Sequence, residues 1–181
     1  MKPRDTDIPI SLLEQLFVYL PKHGLLIYRE KPREAFPSKA HWISWNRAYS
    51  GKTATYSHCG YLAVNVGRRR VLAHRVIWAL QTGAWPDDRI DHRNGEGTAN
   101  RLENLRPATM PQQMQNKAGY KNNFSSGLTG ASWSKAHRRW VSYINVGGKR
   151  RHLGYFDTPE EAHSAYLKAK QELHPFQPTP R

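Results

Sequence analysis

The spacing of apolar and polar positions predicts a series of short elements in the first half of the chain. Residues 11–20, SLLEQLFVYL, carry leucines and aromatics at helical intervals behind a serine, which predicts a short amphipathic helix. Residues 21–52 are interrupted by prolines and basic residues, and they predict a short strand followed by an irregular basic surface. Residues 61–66 alternate and the alternation resumes at Val71, which predicts a β-hairpin, and helical spacing from Ala73 predicts a helix that stops at Gly83.

The second half of the chain predicts a connection followed by a sheet and a helix. Thr109 and Gln112 form a capping-box pattern, so we expect a helix over about 110 to 117. Residues 119–130 are rich in Asn, Ser and Gly, which is typical of a flexible linker. Beyond it, the pattern predicts three strands and a capped helix after Thr158. The helix has a narrow stripe of small and apolar residues that would pack on the sheet, namely Ala162, Ala165, Tyr166, Ala169 and Leu173.

These elements predict an α+β protein, although its length of 181 residues fits either one ordinary domain or two small ones. We divide it into an N-terminal helix with an irregular basic region, a central domain, a linker and a C-terminal domain: residues 1–52, 53–118, 119–130 and 131–181. The C-terminal domain is expected to be a three-stranded antiparallel sheet packed on one helix.

Charge narrows the possible partners. Lysine and arginine number 28 against 14 acidic residues, a formal net charge of +14, and this excess favours a polyanion, with nucleic acid first and an anionic membrane second. No apolar run approaches the roughly 20 residues that cross a bilayer, and the first residues do not resemble a signal peptide, so no membrane is expected. A single cysteine, Cys59, excludes an intrachain disulfide and fits a reducing compartment, so we expect a cytoplasmic protein.

Residues 90–107, IDHRNGEGTANRLENLRP, carry the candidate chemistry. Asp91 offers a carboxylate ligand for a hard divalent cation, and His92 offers an imidazole that can deprotonate water. The amides of Asn100 and Asn104 are suited to fixing His92 or a neighbouring loop. By itself an Asp-His pair is most often part of a turn with a satisfied histidine. Strict alternation would also point the two side chains to opposite faces, so the site requires a strand that ends or twists at His92.

Several motifs together resemble known families. The stretch from about 60 to 117, with GYLAVNV, LAHRVIWAL, IDHRNGEGTANRLENLRPAT and QQMQN, resembles the HNH nucleases of phages and mobile introns, whose site is a ββα-metal finger. Residues 125–174, with SGLTGASW, RRWVSYI and HLGYFDTPEEAHSAY, resemble the ethylene-response-factor DNA-binding domain. The first resemblance implies a nuclease domain over 53–118, and the second implies a sheet that lies in the DNA major groove.

The nuclease resemblance implies a role for each residue of the motif. Asp91 is implied as a metal ligand, His92 as the general base and Asn104 as the residue that orients the base. The family's second metal ligand is an asparagine that aligns with Gln113, and glutamine is one methylene longer, which puts full metal binding in doubt. One Mg²⁺ or Mn²⁺ ion per site is implied. We assign structural support to His74 and Asn100.

Double-stranded DNA is the expected partner, and basic residues supply its candidate contacts. Three arginines sit at the hairpin tip, although a solvated turn explains them equally well, and one more follows His74. Trp140 fits a core position equally well, and strand register decides whether Arg138 or its neighbour faces DNA. The candidates are Arg68, Arg69, Arg70, Arg75, Trp133, Lys135, Arg138, Trp140, Arg150 and His152.

We therefore predict a magnesium- or manganese-dependent HNH endonuclease, phage-encoded or homing-like, that works as a monomer and nicks one DNA strand in a bacterial or phage-infected cell. The alternative is a non-catalytic, regulatory DNA-binding protein whose HNH site has degenerated at Gln113. An RNA-binding or ribosome-associated protein also fits the charge.

Overall fold

The computed structural model describes residues 5–116, 126–174 and 176. The chain divides into two compact units, Met1–Ala108 and Thr109–Arg181. Each unit is described by itself below. None of the described helices is long and apolar enough to cross a membrane.

The first unit combines helices with small antiparallel sheets. Strands β1 and β2 form one hairpin, β3, β4 and β5 form a three-stranded sheet in that order, and β6 pairs with β7. The elements are α1 (Ile10–Leu16), β1 (Phe17–Leu20), β2 (Leu25–Tyr28), α2 (Lys39–Tyr49), β3 (Tyr56–His58), β4 (Tyr61–Val66), β5 (Arg69–Leu72), α3 (Ala73–Thr82), β6 (Arg89–His92) and β7 (Leu105–Ala108). Short 3-10 helices cover Asp5–Asp7, Arg33–Ala35 and Leu102–Asn104.

One apolar core holds these sheets together. Helix α3 buries the face that carries Val76 and Ile77, and the predicted hairpin before it and the stop at Gly83 are confirmed, with Gly83 at φ +72°. Strands β6 and β7 contribute Ile90 and Leu105 to the same core. The strand that ends at His92 is therefore anchored on the centre of the unit, since burial of each large apolar side chain contributes about 1.5–3 kcal/mol.

The helix predicted over 11–20 is wrong in its second half. Helix α1 ends at Leu16, and Phe17–Leu20 continue as strand β1, which pairs with β2. In β1 the residues Phe17 and Tyr19 are buried and their neighbours are half-buried, which is the period of a strand. Pairing with β2 therefore overrides the helical spacing of the leucines.

The irregular basic surface predicted for 21–52 is also partly wrong, because residues 39–49 form α2. Ser38 caps this helix, since its side chain accepts a hydrogen bond from the backbone of His41 at 3.3 Å. Trp42 and Asn46 each donate a side-chain hydrogen bond of 2.9 Å to the carbonyl of Lys31. The helix is held by these hydrogen bonds together with aromatic contacts of Trp45, and none of its residues is buried. Hydrophobic periodicity gave little sign of it.

The second unit contains the predicted three-stranded antiparallel sheet and helix. Its elements are α4 (Met110–Asn116), β8 (Ala131–Ser134), β9 (Arg139–Val146), β10 (Lys149–Phe156) and α5 (Pro159–Leu173), with sheet order β10-β9-β8. The capping box of Thr158 and Glu161 begins α5 as predicted, and Ala162 and Ala169 of the small-residue stripe are buried. The α+β class is confirmed. Residues 119–125 of the expected linker lie outside the described residues, and the predicted domain boundaries stay predictions.

Close packing of α5 depends on a glycine ahead of β8. Gly130 has φ +83°, and a Cβ atom built there would lie 2.2 Å from Cγ of Tyr166. Gly127 has a similar φ of +71° but no atom within 4 Å of such a Cβ.

Gly130→Ala is expected to destabilise the protein by about 2–4 kcal/mol, because backbone strain and a steric clash with Tyr166 add together. The matched variant Gly127→Ala has only the backbone strain and should lose about 1 kcal/mol. Urea unfolding of both variants measures the difference. Equal losses in the two variants would contradict the packing of Tyr166 on Gly130.

Candidate active site

The end of strand β6 holds His92 in a buried position, hydrogen-bonded to Asn100. His92 is 4 % exposed, and its Nε2 lies 2.7 Å from Oδ1 of Asn100, which is 1 % exposed. Because an amide oxygen only accepts hydrogen bonds, Nε2 must donate the proton. The neutral imidazole then has its lone pair on Nδ1. The hydrogen bond therefore selects the tautomer of His92.

The two asparagines exchange the roles predicted from the sequence. Asn104 was expected to orient the base, but its Nδ2 donates to the carbonyl of Ala99 at 2.7 Å and to Oδ1 of Asn94 at 3.0 Å. Its own Oδ1 accepts from the backbone of Asn94 at 3.1 Å. Asn104 therefore braces the loop that follows β6, whereas Asn100, predicted as loop support, holds His92. The loop folds back so that Asn100, eight positions after His92, reaches the imidazole.

Asp91 pairs with an arginine that the sequence analysis did not single out. In the β6–β7 register Asp91 lies opposite Arg106. Both Nε and Nη2 of Arg106 lie 3.1 Å from Oδ2 of Asp91, and both side chains are largely buried. A buried carboxylate needs such a partner, because removing an unpaired charge from water costs several kcal/mol. Only the pairing of the two strands reveals this contact.

Aromatic rings enclose His92. The ring of His74 lies 5.0 Å from that of His92 at an angle of 88°, and the ring of Tyr61 lies 5.7 Å and 6.0 Å from the two imidazoles. Gly97 of the loop lies against Tyr61, since a Cβ there would be 2.7 Å from the ring. His74 thus lies where its predicted supporting role requires, and that role stays a prediction.

Burial dominates the protonation of both imidazoles. The pKa of His74 is lowered to about 3, mainly by burial and to a smaller extent by the neighbouring His92 and Arg75. Burial also lowers the pKa of His92, while the hydrogen bond with Asn100 and the carboxylate of Asp91 act in the opposite direction. Both side chains are therefore neutral at neutral pH, as a general base requires.

The donor set fits a divalent metal only in part. Among the described residues no group of three or more His, Cys, Asp or Glu side chains could hold a metal ion. The buried carboxylate of Asp91 forms an ion pair with the guanidinium of Arg106. Gln113, the predicted second ligand, lies on α4 of the second unit, and its role stays a prediction.

Comparisons with known proteins identify a family and a phage relative. The family model described as HNH endonuclease matches residues 71–115, a range that contains Asp91, His92 and both asparagines. Protein 3.8 of Escherichia phage T7 is 32% identical over 102 residues, which cover 56% of this chain and 83% of that protein. The chain belongs to the HNH endonuclease family. No solved structure matches it.

Membership of the HNH endonuclease family supports a nuclease-type function and a nucleic-acid substrate. HNH nucleases generally use a divalent metal. The ethylene-response-factor resemblance of residues 125–174 finds no support in the comparisons, so the second unit of this HNH protein is identified by its fold alone.

The basic residues around the HNH domain differ in their availability for DNA. Arg68 is exposed at the tip of the β4–β5 hairpin, whereas Arg69 lies 3.8 Å from the carboxylate of Asp7. Arg70 contacts the phenol of Tyr56 and the imidazole of His58, at 3.3 and 3.2 Å. Arg75 donates to Asp5 at 3.1 Å and to the carbonyl of Asp88 at 3.0 Å, so its guanidinium has an internal structural role.

One face of the C-terminal sheet carries a row of rings and charge. Arg150 lies 3.8 Å over the ring of Tyr143, whose ring is 5.1 Å from that of His152. The ring of Tyr155 lies 4.8 Å from that of His152, and the ring of His137 lies 4.3 Å from that of Tyr155. We call these five residues the ring row. Arg150 and His152 were predicted from the sequence, whereas the other three members were not. Strand register places Tyr143 and Tyr155, and the β8–β9 turn places His137.

The two tryptophans lie on the other face of this sheet, contrary to the prediction for Trp133 and in keeping with the core alternative for Trp140. Trp133 pairs with Trp140, and Ala131 pairs with Ser142. Because alternate positions share a face, the tryptophans lie on the side of Ala131 and Ser142, which are both 0 % exposed. That buried side is the one covered by α5. Trp133 nevertheless remains 45% exposed, at the edge of the sheet.

Arg138 and Arg139, at the end of the β8–β9 turn, have different surroundings. Arg139 forms an ion pair with Asp157, with Nη2 and Oδ1 2.7 Å apart. Arg138 has a positive φ of 52° and is exposed in the turn, as is Lys135. Of the two arginines, Arg138 is therefore the one available to DNA, and its role as a contact stays a prediction.

The lowered pKa of His74 predicts an acid-sensitive fold. The unfolded chain binds a proton on this side chain near its ordinary pKa of about 6.5, whereas the folded chain does so only near 3. Stability from this group is complete above about pH 6.5 and is lost as the pH falls toward 3. Between pH 7 and pH 5 the loss should be about 2 kcal/mol.

His74→Gln removes this titration, so the free energy of unfolding should fall less between pH 7 and pH 5 than in the wild type, by about the same 2 kcal/mol. Urea unfolding at both pH values measures it. Parallel pH dependence in the two proteins would show that His74 is protonated equally in both states.

Proposed function

We propose that this HNH protein is a metal-dependent endonuclease that nicks double-stranded DNA with His92 as the general base. The observation that carries the proposal is the 2.7 Å contact between Nε2 of His92 and Oδ1 of Asn100, because it leaves the lone pair of Nδ1 as the proton acceptor. A buried neutral imidazole in an HNH domain is suited to that role.

The surrounding residues support the reaction step by step. Nδ1 of His92 takes a proton from water, the resulting hydroxide forms a bond to the phosphorus, and the P–O bond to the leaving sugar oxygen breaks. The carboxylate of Asp91 stabilises the imidazolium that forms, and so opposes the lowering of the pKa of His92 by burial. Asn100 accepts from Nε2 throughout, and Asn104 braces the loop, so the ring does not need to reorganise.

Asp91 and Gln113 would hold the metal, Mg²⁺ or Mn²⁺. When bound, this ion stabilises negative charge on the phosphate and on the leaving oxygen. Arg106 already neutralises Asp91, so it must share or release the carboxylate as the ion binds. A single HNH domain supplies one such site, which fits nicking of one strand by a monomer.

The second unit is proposed to hold DNA. The ring row offers stacking surfaces beside Arg150, and Lys135 and Arg138 are exposed in the neighbouring turn. Together with the net charge of +14, this surface favours a DNA duplex as partner. We place the activity in the cytoplasm of a phage-infected cell, in keeping with the phage relative.

A plasmid assay tests the proposal. With Mg²⁺ or Mn²⁺ the wild type should convert supercoiled plasmid to open circle, and a chelator should stop the conversion. His92→Ala should lower the nicking rate by at least about 100-fold, because general-base catalysis contributes factors of that order. DNA affinity in a filter-binding assay should stay within about twofold. Undiminished nicking by this variant would refute the assignment of the base.

A non-catalytic DNA-binding function is the second candidate. It is favoured by the ion pair of Asp91 with Arg106 and by glutamine at position 113. In that case the HNH fold survives as a scaffold, and only the binding surfaces matter.

Gln113→Asn separates the two candidates. An attenuated nuclease should nick on the order of tenfold faster, because the shorter amide oxygen matches the demanding geometry of a hard cation. The same plasmid assay measures it, with Gln112→Asn as the matched control from the same helix. If neither the wild type nor Gln113→Asn nicks the plasmid, the result would support the non-catalytic DNA-binding function.

A further inference from the structure

The β1–β2 hairpin contacts the segment that carries Asn100. The hydroxyl of Tyr19 donates to the backbone carbonyl of Asn100 at 3.2 Å and accepts from the backbone of Leu102 at 3.0 Å. Tyr19 is 81 residues away from Asn100 in the chain and is 9% exposed. A single buried phenol therefore ties two backbone groups of this segment to the hairpin.

The turn of the same hairpin lies directly against this segment. A Cβ atom on Gly24 would lie 2.7 Å from the backbone nitrogen of Arg101 and 2.8 Å from the carbonyl carbon of Asn100. Gly24 also has φ +66°, a conformation that side chains disfavour. Backbone packs on backbone at this position, which only glycine permits.

Asn100 depends on this backbone anchoring. Its side chain is buried, and among the described residues its Nδ2 has no hydrogen-bond partner. The amide plane is therefore not fixed by a second side-chain hydrogen bond, as a typical buried amide would be. Its orientation toward His92 follows from where the backbone of Asn100 is held.

We propose that Tyr19 and Gly24 are positioning residues of the nuclease site, which hold Asn100 so that its Oδ1 fixes the imidazole of His92. Both lie outside residues 71–115, the part that matches the HNH family model. This rests on the proposed function of His92 as the base. The β1–β2 hairpin, which is distant from Asn100 in the sequence, then supports the active site.

Tyr19→Phe tests the proposal with little change in shape, because it removes only the hydroxyl. The turnover number for nicking should fall on the order of 10- to 100-fold, since small misplacement of a catalytic group has effects of that size. KM for plasmid should stay within about twofold, as DNA contacts are untouched. Tyr28→Phe, from the facing strand β2, is the matched control, because both hydrogen bonds to the segment belong to the hydroxyl of Tyr19. It should retain wild-type turnover.

A double-mutant cycle separates positioning from a general structural effect. If Tyr19 acts through Asn100, adding Tyr19→Phe to Asn100→Ala should change turnover by less than about twofold. If Tyr19→Phe lowers turnover by its full factor in both backgrounds, the two residues act independently and the proposal is wrong.

A measurement that does not require catalytic turnover tests the positioning role separately from the proposed nuclease function. The Nε2–H proton of His92, observed by NMR in selectively labelled full-length protein, should shift or exchange faster with water in Tyr19→Phe and stay unchanged in Tyr28→Phe. That result supports the positioning role even if no variant nicks DNA, in which case only the proposed function fails. An unchanged Nε2–H signal in Tyr19→Phe overturns the positioning role.

Discussion

The hydrogen bond between His92 and Asn100 is the contact on which the proposed chemistry of this protein depends. Both side chains are almost fully buried, so a broken bond would leave the Nε2–H group and the amide oxygen unsatisfied. Because the amide oxygen of Asn100 can only accept, Nε2 of His92 donates in this hydrogen bond and the lone pair of the imidazole lies on Nδ1. The rings of His74 and Tyr61, the loop braced by Asn104 and the hairpin around Tyr19 all serve to keep this geometry.

The buried charges around the site are also paired. The carboxylate of Asp91 is buried and therefore has a cationic partner, Arg106, whose position across the strand pair makes it the natural counter-ion. A divalent cation would compete with that guanidinium, so metal affinity and the Asp91–Arg106 ion pair are linked. Away from the site, several arginines that look free in the sequence are held by acidic residues or carbonyls. The net charge therefore overstates how many of them face DNA.

Much of the fold was predictable from local patterns. The β4–β5 hairpin, α3 with its glycine stop, and the capped helix α5 all follow signals within a few residues of the element. The errors arose where long-range contacts compete with local preference. Phe17–Leu20 has helical spacing but pairs with β2. Helix α2 has no buried residue and is held by hydrogen bonds to Lys31 and by aromatic contacts of Trp45.

The sequence by itself determined the family, the α+β class and the identity of the Asp-His pair, because motif spacing and strand and helix periods are local properties. Only the tertiary structure decided which asparagine holds His92, that Arg106 neutralises Asp91, that the tryptophans of the C-terminal sheet lie on its covered face, and that Tyr19 reaches Asn100. Each of these depends on strand register or on loops that bring distant residues together. Register and loop closure are set by packing of the whole core rather than by any short stretch of residues.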